Sequence, residues 1–278
     1  MGFCGVPQGF LVARAALHPW EEPQISGVRG SGTIFFSGCN LRCVYCQNRD
    51  VSRAAVGKLL DGNALADVML RLQEAGAHNI NLVTPTQYAL QLAEILERVK
   101  PRLTIPVVYN CGGYESIASL RRLAGLVDIY LPDFKYYDKR LASDYSGAAD
   151  YREVATAALG EMLSQTGKIY CDGDGMLRRG VIVRHLVLPG SRADSIAVLR
   201  HLAKEFGTGA YLLSLMSQYT PEFAEDAPFA ALHRRVTSFE YQTVMDEAVR
   251  LGFAGNFQAR SSARAEYTPN FYEKSFLP

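Results

Sequence analysis

The chain has 278 residues and a formal net charge of +1, from 29 Lys and Arg against 28 Asp and Glu. At 48% hydrophobic and 21% charged it has the composition of a globular protein, which excludes wholesale disorder, and its near-neutral balance gives no basic field for nonspecific nucleic-acid binding. No apolar run approaches the roughly 18 residues of a membrane span, and the opening MGFCGVPQGF lacks the basic and apolar regions of a secretory signal. The expectation is therefore a cytoplasmic protein with neither a membrane nor a nucleic-acid partner.

Short apolar runs alternate with helical patterns along the chain. TIFF, 33–36, reads as a strand between Gly32 and Gly38. Residues 63–75 place Leu65, Val68, Met69 and Leu72 on one helical face, and Gly76 ends the helix. A strand at 80–83 precedes an amphipathic helix at 87–99, with Leu90, Ala93 and Leu96 in phase and Pro101 as its stop. Then come a strand at 105–109, a short helix at 115–123, a strand at 127–131 and a helix at 152–164. DGDG at 172–175 reads as a turn. A strand at 181–188, a helix at 196–206, a strand at 211–215 and a helix at 239–251 complete the series.

Strands of four to eight residues alternating with longer helices imply right-handed βαβ units and a parallel sheet. The strands starting near 33, 80, 105, 127, 181 and 211 give six units, too few for an eight-fold barrel. The expected fold is α/β, an open partial (β/α)6 TIM-like barrel over 31–237, with an N-terminal extension over 1–30 and a C-terminal helix and tail over 238–278. Function in such folds gathers in the loops after the carboxyl ends of the strands.

The loop after the first of these strands is SGCNLRCVYCQN, with Cys39, Cys43 and Cys46 spaced C-x3-C-x2-C. Thiolates are soft ligands for iron–sulfur clusters or zinc. Zinc asks for a fourth ligand, whereas Cys4, Cys111, Cys171 and the five histidines stand singly. The spacing favours a cluster with one iron left open, which is what a catalytic site needs.

This loop resembles that of the radical S-adenosylmethionine (SAM) superfamily, whose fold is a partial (β/α)6 barrel. More narrowly, HPWEEPQISGVRGSGTIFFSGCNLRCVYCQN at 18–48, NINLVTPTQY, VVYNCGGYES, VDIYLPDFKYY, VRHLVLPG and SLMSQYTP resemble the PflX-type homologues of pyruvate formate-lyase activating enzyme. The resemblance implies a [4Fe-4S] cluster on Cys39, Cys43 and Cys46, with SAM on the fourth iron. It also implies an electron donor such as flavodoxin or ferredoxin, and a glycyl radical enzyme as the activated partner. By the same resemblance Tyr45 packs near the adenine or is a core aromatic. Gln47 and Asn48 can donate to cluster sulfides. Thr84-Pro85-Thr86 stands where the superfamily has a Gly-Gly-Glu-type turn receiving the SAM amino group, and Thr86 also reads as a helix N-cap. Asn110 sits near SAM ahead of Gly112 and Gly113, and Cys111 reads as a small buried residue.

Asp133 and Lys135 match an Asp-x-Lys element, and strand alternation puts them on one side. Asp133 there can bind ribose, an amine or a monovalent cation, and Lys135 can meet the SAM carboxylate. Arg184, inside an apolar strand, matches a SAM-contacting arginine and needs a carboxylate partner, from a ligand or from Asp133. His185 faces the other way as a structural residue. Met216, Gln218 and Tyr219 line the adenine or substrate side. The chain lacks the histidine element of true pyruvate formate-lyase activases. It begins almost at Cys4, where PflX-type chains commonly carry further cysteines upstream, so an auxiliary amino-terminal metal site is expected to be incomplete, with Cys4 a vestige or part of a truncated chain. Arg14, His18, Trp20, Glu21 and Glu22 are expected at the site mouth or on the surface. Two other functions compete with activation of a partner enzyme: radical modification of a small molecule or peptide, and a non-enzymatic iron–sulfur or zinc binding module.

Overall fold

Alternating apolar runs and amphipathic stretches become a strand–helix succession in the computed structural model, which describes residues 9–53, 56–258 and 275–277. The first half comprises β1 (Phe10–His18), α1 (Pro23–Ser26), β2 (Ser31–Phe36), α2 (Arg49–Ser52), β3 (Lys58–Leu60), α3 (Gly62–Glu74), β4 (Ile80–Val83), α4 (Ala89–Val99), β5 (Val107–Cys111) and α5 (Ile117–Arg122). The second half comprises β6 (Ile129–Pro132), α6 (Lys139–Ser146), α7 (Tyr151–Thr166), β7 (Tyr170–Cys171), β8 (Leu177–Leu186), α8 (Arg192–Phe206), β9 (Leu212–Met216), α9 (Ser238–Leu251) and β10 (Gly255–Phe257).

The sheet runs β10-β9-β8-β6-β5-β4-β2-β1-β3, with β7 paired on β8 as a hairpin across the DGDG turn. From β2 to β10 neighbouring strands are parallel, whereas β1 is antiparallel to both β2 and β3. The fold is α/β with a partial, open, barrel-like sheet. The six expected strands form its centre. The flanks differ from expectation, because the segment read as an extension supplies β1 and the C-terminal tail supplies β10. Two helical details also differ. Leu90 is 56% exposed, because positions three apart drift around a helix of about 3.6 residues per turn, and α4 buries Leu92, Ala93, Ile95 and Leu96 instead. Residues 139–146 form α6, which the sequence analysis leaves unassigned.

β2, β4, β5 and β6 are buried at every position, as parallel strands covered on both faces must be. Alternation divides most of their side chains between two cores, with Phe35 and Val83 in a third, small cluster. The larger joins the outer faces of the strands to the helices and includes Ile34, Leu82, Tyr109 and Tyr130. A smaller cluster fills the barrel floor, where Ile25 of α1 packs against Val108, Ile129, Leu131, Leu177 and Ile182. Above that floor the inward positions become polar, at Asn81, Asn110, Asp133, Arg184 and Ser214. Among the described residues no helix is long and apolar enough to cross a membrane.

Candidate active site

The cysteine loop is held at its base and along its flank by hydrogen bonds. Ser37 and Gly38 amides donate to Leu11 and Val51 carbonyls, both at 2.8 Å. The Gln87 side-chain amide donates to the carbonyls of Ser37, Gly38 and Thr84 at 2.9–3.0 Å, tying the loop to the turn after β4. Asn40 donates to the Tyr114 carbonyl at 2.5 Å. The last carbonyls of α6, which a helix cannot satisfy itself, accept from this loop: Val44 N reaches Tyr145 O at 2.9 Å and Arg42 N reaches Ser146 O at 3.3 Å.

Cys39, Cys43 and Cys46 line one cavity of about 150 Å³ with Thr84, Asn110, Cys111, Gly112, Asp133, Lys135 and Arg184. An adjoining cavity of about 160 Å³ shares Cys43, Cys46, Asp133, Lys135 and Arg184 and adds Tyr45, Gln47, Leu186, Met216 and Gln218. Each sulfur has a donor beside it. Leu41 N lies 3.4 Å from Cys39, Ser146 Oγ lies 3.0 Å from Cys43, and Ser52 with the Asn48 amide serves Cys46. Burial, reinforced by Cys43 next to it, pushes the free Cys39 thiol up to about 12, and burial also raises Cys46. Three partly buried thiols around a cavity, each with a donor that a thiolate can use, form a donor set that fits an iron–sulfur cluster. Among the described residues no three His, Cys, Asp or Glu side chains close on a single ion.

The structure brings together Tyr45, Thr84, Asn110, Asp133, Lys135, Arg184, Met216 and Gln218 with the three cysteines. Thr86 is the exception. It caps no helix, and its hydroxyl donates instead to Glu115 Oε1 at 2.7 Å, away from the thiols. Thr84 carries φ 56°, an uncommon conformation for a residue with a Cβ, at the cavity wall. Tyr45 is a buried aromatic whose hydroxyl meets Tyr136 at 2.6 Å, and its ring still borders the second cavity. Gln47 donates to the Gln218 carbonyl at 3.4 Å. Cys111 is buried beside Glu115, Cys171 is exposed, and Cys4 lies outside the described residues. Tyr219 is buried, with its hydroxyl donating to Leu232 O at 2.6 Å. His185 is buried with Nδ1 donating to the Phe134 carbonyl at 2.7 Å, and burial lowers it to about 4, so it is a neutral structural residue.

Glu21 and Glu22 are not surface residues: they line a cavity with Trp20, Arg184, Met216 and Gln218. α1 inserts under the barrel and directs Glu21 into its interior. There it pairs with Arg184 at 3.0 Å and accepts from Asn81 at 3.1 Å and Asn110 at 3.4 Å. Arg184 also faces Asp133 at 3.4 Å and Glu22 at 4.0 Å, and Lys135 pairs with Asp133 at 2.5 Å. Three carboxylates thus surround two cations in a buried layer. Burial raises Glu22 despite Arg184 nearby. Burial also opposes ionisation of Asp133, but Lys135 and Arg184 outweigh it and hold this carboxyl below its ordinary value. Gly113 seats the end of β5 against β6: at φ +79°, a Cβ there would lie 2.1 Å from the Asp133 carbonyl oxygen. Tyr151 bridges the same ends, donating to the Gly112 and Asp133 carbonyls at 2.8 Å and accepting from Lys135 N at 3.0 Å.

Sequence reasoning missed Glu21, Gln87, Glu115, Ser146 and Tyr151 as supports of this site. Only Ser146 had a usable signal, since Asp138 and Gly147 bracket α6 as N-cap and left-handed C-cap.

Residues 33–161 match the family model described as the radical SAM superfamily. The chain is 27% identical over 258 residues to the uncharacterized protein MJ0674 of Methanocaldococcus jannaschii, covering 89% of this chain and 69% of that protein. Its fold is similar to that of Streptococcus suis SuiB bound to precursor peptide SuiA, with TM-score 0.54, 14% identity, and coverage of 86% of this chain and 51% of that one. It is also similar to methylornithine synthase (PylB), with TM-score 0.52, 16% identity, and coverage of 81% and 60%. HydG, a maturase of the [FeFe]-hydrogenase, gives TM-score 0.51 at 14% identity, with coverage of 78% and 48%. The chain thus spans about half to three-fifths of the length of these solved chains. The segment matched by the family model includes the cysteine loop, and the solved structures share the fold.

Proposed function

We propose, with the radical SAM superfamily as the premise, that this chain is a SAM-cleaving enzyme of the PflX-type branch that installs a radical on a partner, a glycyl radical enzyme. The observation that carries the enzymatic part is the trio of thiols on a cavity also lined by Asp133, Lys135 and Arg184. When bound, a [4Fe-4S] cluster and SAM supply reductive cleavage of the sulfonium and a 5′-deoxyadenosyl radical for hydrogen abstraction. Cys39, Cys43 and Cys46 would hold three corners and leave one for the amino and carboxylate groups of SAM. Asp133, anchored by Lys135, accepts a hydroxyl or amine, and Arg184 offers a cation to a carboxylate. Phe35, Val83 and Leu41 line the same cavity and give it an apolar part. A cytoplasmic setting, where thiols stay reduced, suits this chemistry.

Anaerobic reconstitution followed by dithionite and SAM should yield 5′-deoxyadenosine. Cys43→Ala should lose both cluster and product while keeping the helical circular dichroism of the parent. Tetrahedral zinc in properly loaded protein, or SAM left intact, defeats the reading in favour of a metal-binding module. The cavity of about 160 Å³ beside the thiols favours a second reading, radical transfer to a small molecule or peptide. A glycyl-radical resonance in a partner protein separates the first from the second.

A further inference from the structure

We propose that Ser146 is the donor that tunes the Cys43 sulfur, and that Tyr136 and Tyr45 hold Ser146 in that role as a one-way hydrogen-bond relay. The inference rests on the reading of the cysteines as cluster ligands and concerns residues that reading does not use. Cys43 Sγ lies 3.0 Å from Ser146 Oγ, Ser146 Oγ lies 2.7 Å from Tyr136 OH, and Tyr136 OH lies 2.6 Å from Tyr45 OH. Taken singly, each contact admits either direction, because every member carries one hydrogen. Ligation removes the ambiguity. An iron-bound cysteine is a thiolate and can only accept. Ser146 must then spend its one proton on Cys43 and accept from Tyr136. Tyr136, its proton spent, must accept from Tyr45. The chain is polarised throughout as Tyr45 to Tyr136 to Ser146 to Cys43, and such aligned chains strengthen each member.

The backbone fixes the same contact. A serine near a helix end ordinarily turns its hydroxyl to the carbonyl four residues back. Here that carbonyl, of Ala142, already accepts Ala148 N at 3.2 Å beside the left-handed Gly147. The Ser146 carbonyl meanwhile accepts Arg42 N from the loop that carries Cys43. Donors at Cys39 and Cys46 come from neighbours in the loop and α2, whereas the donor at Cys43 comes from 103 residues downstream. Reduction adds negative charge that spreads onto the sulfurs, so a donor at Cys43 favours the reduced state and raises the potential. Ser146, Tyr136 and Tyr45 are positioning residues in this scheme.

The test is a redox titration of the reconstituted full chain, followed by electron paramagnetic resonance. Ser146→Ala should lower the reduction constant about tenfold, a fall of about 59 mV for one electron. Ser146→Thr should restore the parent value. Tyr136→Phe should fall between Ser146→Ala and the parent, and Tyr45→Phe should shift less than Tyr136→Phe. If Ser146→Ala does not hold a cluster, Tyr136→Phe carries the test with its smaller fall. A parent-like potential in a loaded Ser146→Ala, no restoration by Ser146→Thr, or a Tyr136→Phe that is parent-like or falls further than a loaded Ser146→Ala overturns the relay. Absence of a cluster in the parent chain overturns the reading of the cysteines themselves, whereas an intact cluster indifferent to Ser146 overturns the relay alone.

Discussion

Arg184→Met probes the buried charge layer directly. The arginine side chain is 18% exposed and faces Glu21, Asp133 and Glu22, whose side chains are 10%, 21% and 7% exposed. Its removal leaves three carboxylates opposite Lys135 alone. Breaking a buried ion pair by deleting one partner costs about 3–5 kcal/mol, because the remaining charge stays desolvated. For a domain of this size 1 kcal/mol moves Tm by about 2–4 °C, so the metal-free variant should melt about 6–20 °C below the parent. Glu21→Gln alone should lose less than Arg184→Met. Arg184→Met with Glu21→Gln should lose less than the sum, since the second change removes one of the stranded carboxylates. Thermal unfolding of the metal-free protein at pH 7 gives all four values. A melting point within about 2 °C of the parent for Arg184→Met, or strict additivity in the double variant, would refute the reasoning. Either would mean that the carboxylates left behind take up protons or find other partners, so that Arg184 does not hold the charge layer together.

Two further outcomes follow from the surrounding geometry. Burial raises Glu115 to about 7, against hydrogen bonds from Thr86 and Tyr109 that favour the charged form. A carboxyl raised in the folded state stabilises the fold fully below its unfolded value and loses that contribution as pH climbs through about 7. The span corresponds to a contribution on the order of 3 kcal/mol. The parent should therefore lose stability between about pH 4.5 and 7 relative to Glu115→Gln, as read from denaturant midpoints. Parallel pH profiles would contradict this, and the difference between the two proteins removes the contribution of Asp194, which burial raises to about 6. Gly113→Ala combines a left-handed backbone with a Cβ 2.1 Å from the Asp133 carbonyl and 2.9 Å from the Tyr151 hydroxyl. It should cost more than about 2 kcal/mol in urea unfolding, and an unchanged midpoint would show that the β5–β6 junction is looser than described.

The strand–helix alternation, the number of central parallel strands and the thiol trio were legible in the sequence, because each is encoded locally. Burial on both faces writes apolar runs, helices write a 3.6-residue period, and three ligands on one loop write a fixed spacing. β1 was not legible, because a bulge between Val12 and Arg14 shifts its register and breaks the two-residue alternation. β10 was not legible either, because three residues carry no period. What only the tertiary structure decided are pairings across long stretches of chain. Glu21 meets Arg184 across 163 residues, Ser146 meets Cys43 across 103, and Thr86 turns from the cavity to Glu115 across 29. A charged or hydroxyl side chain announces that it needs a partner when buried, but the closure of the barrel determines which partner reaches it.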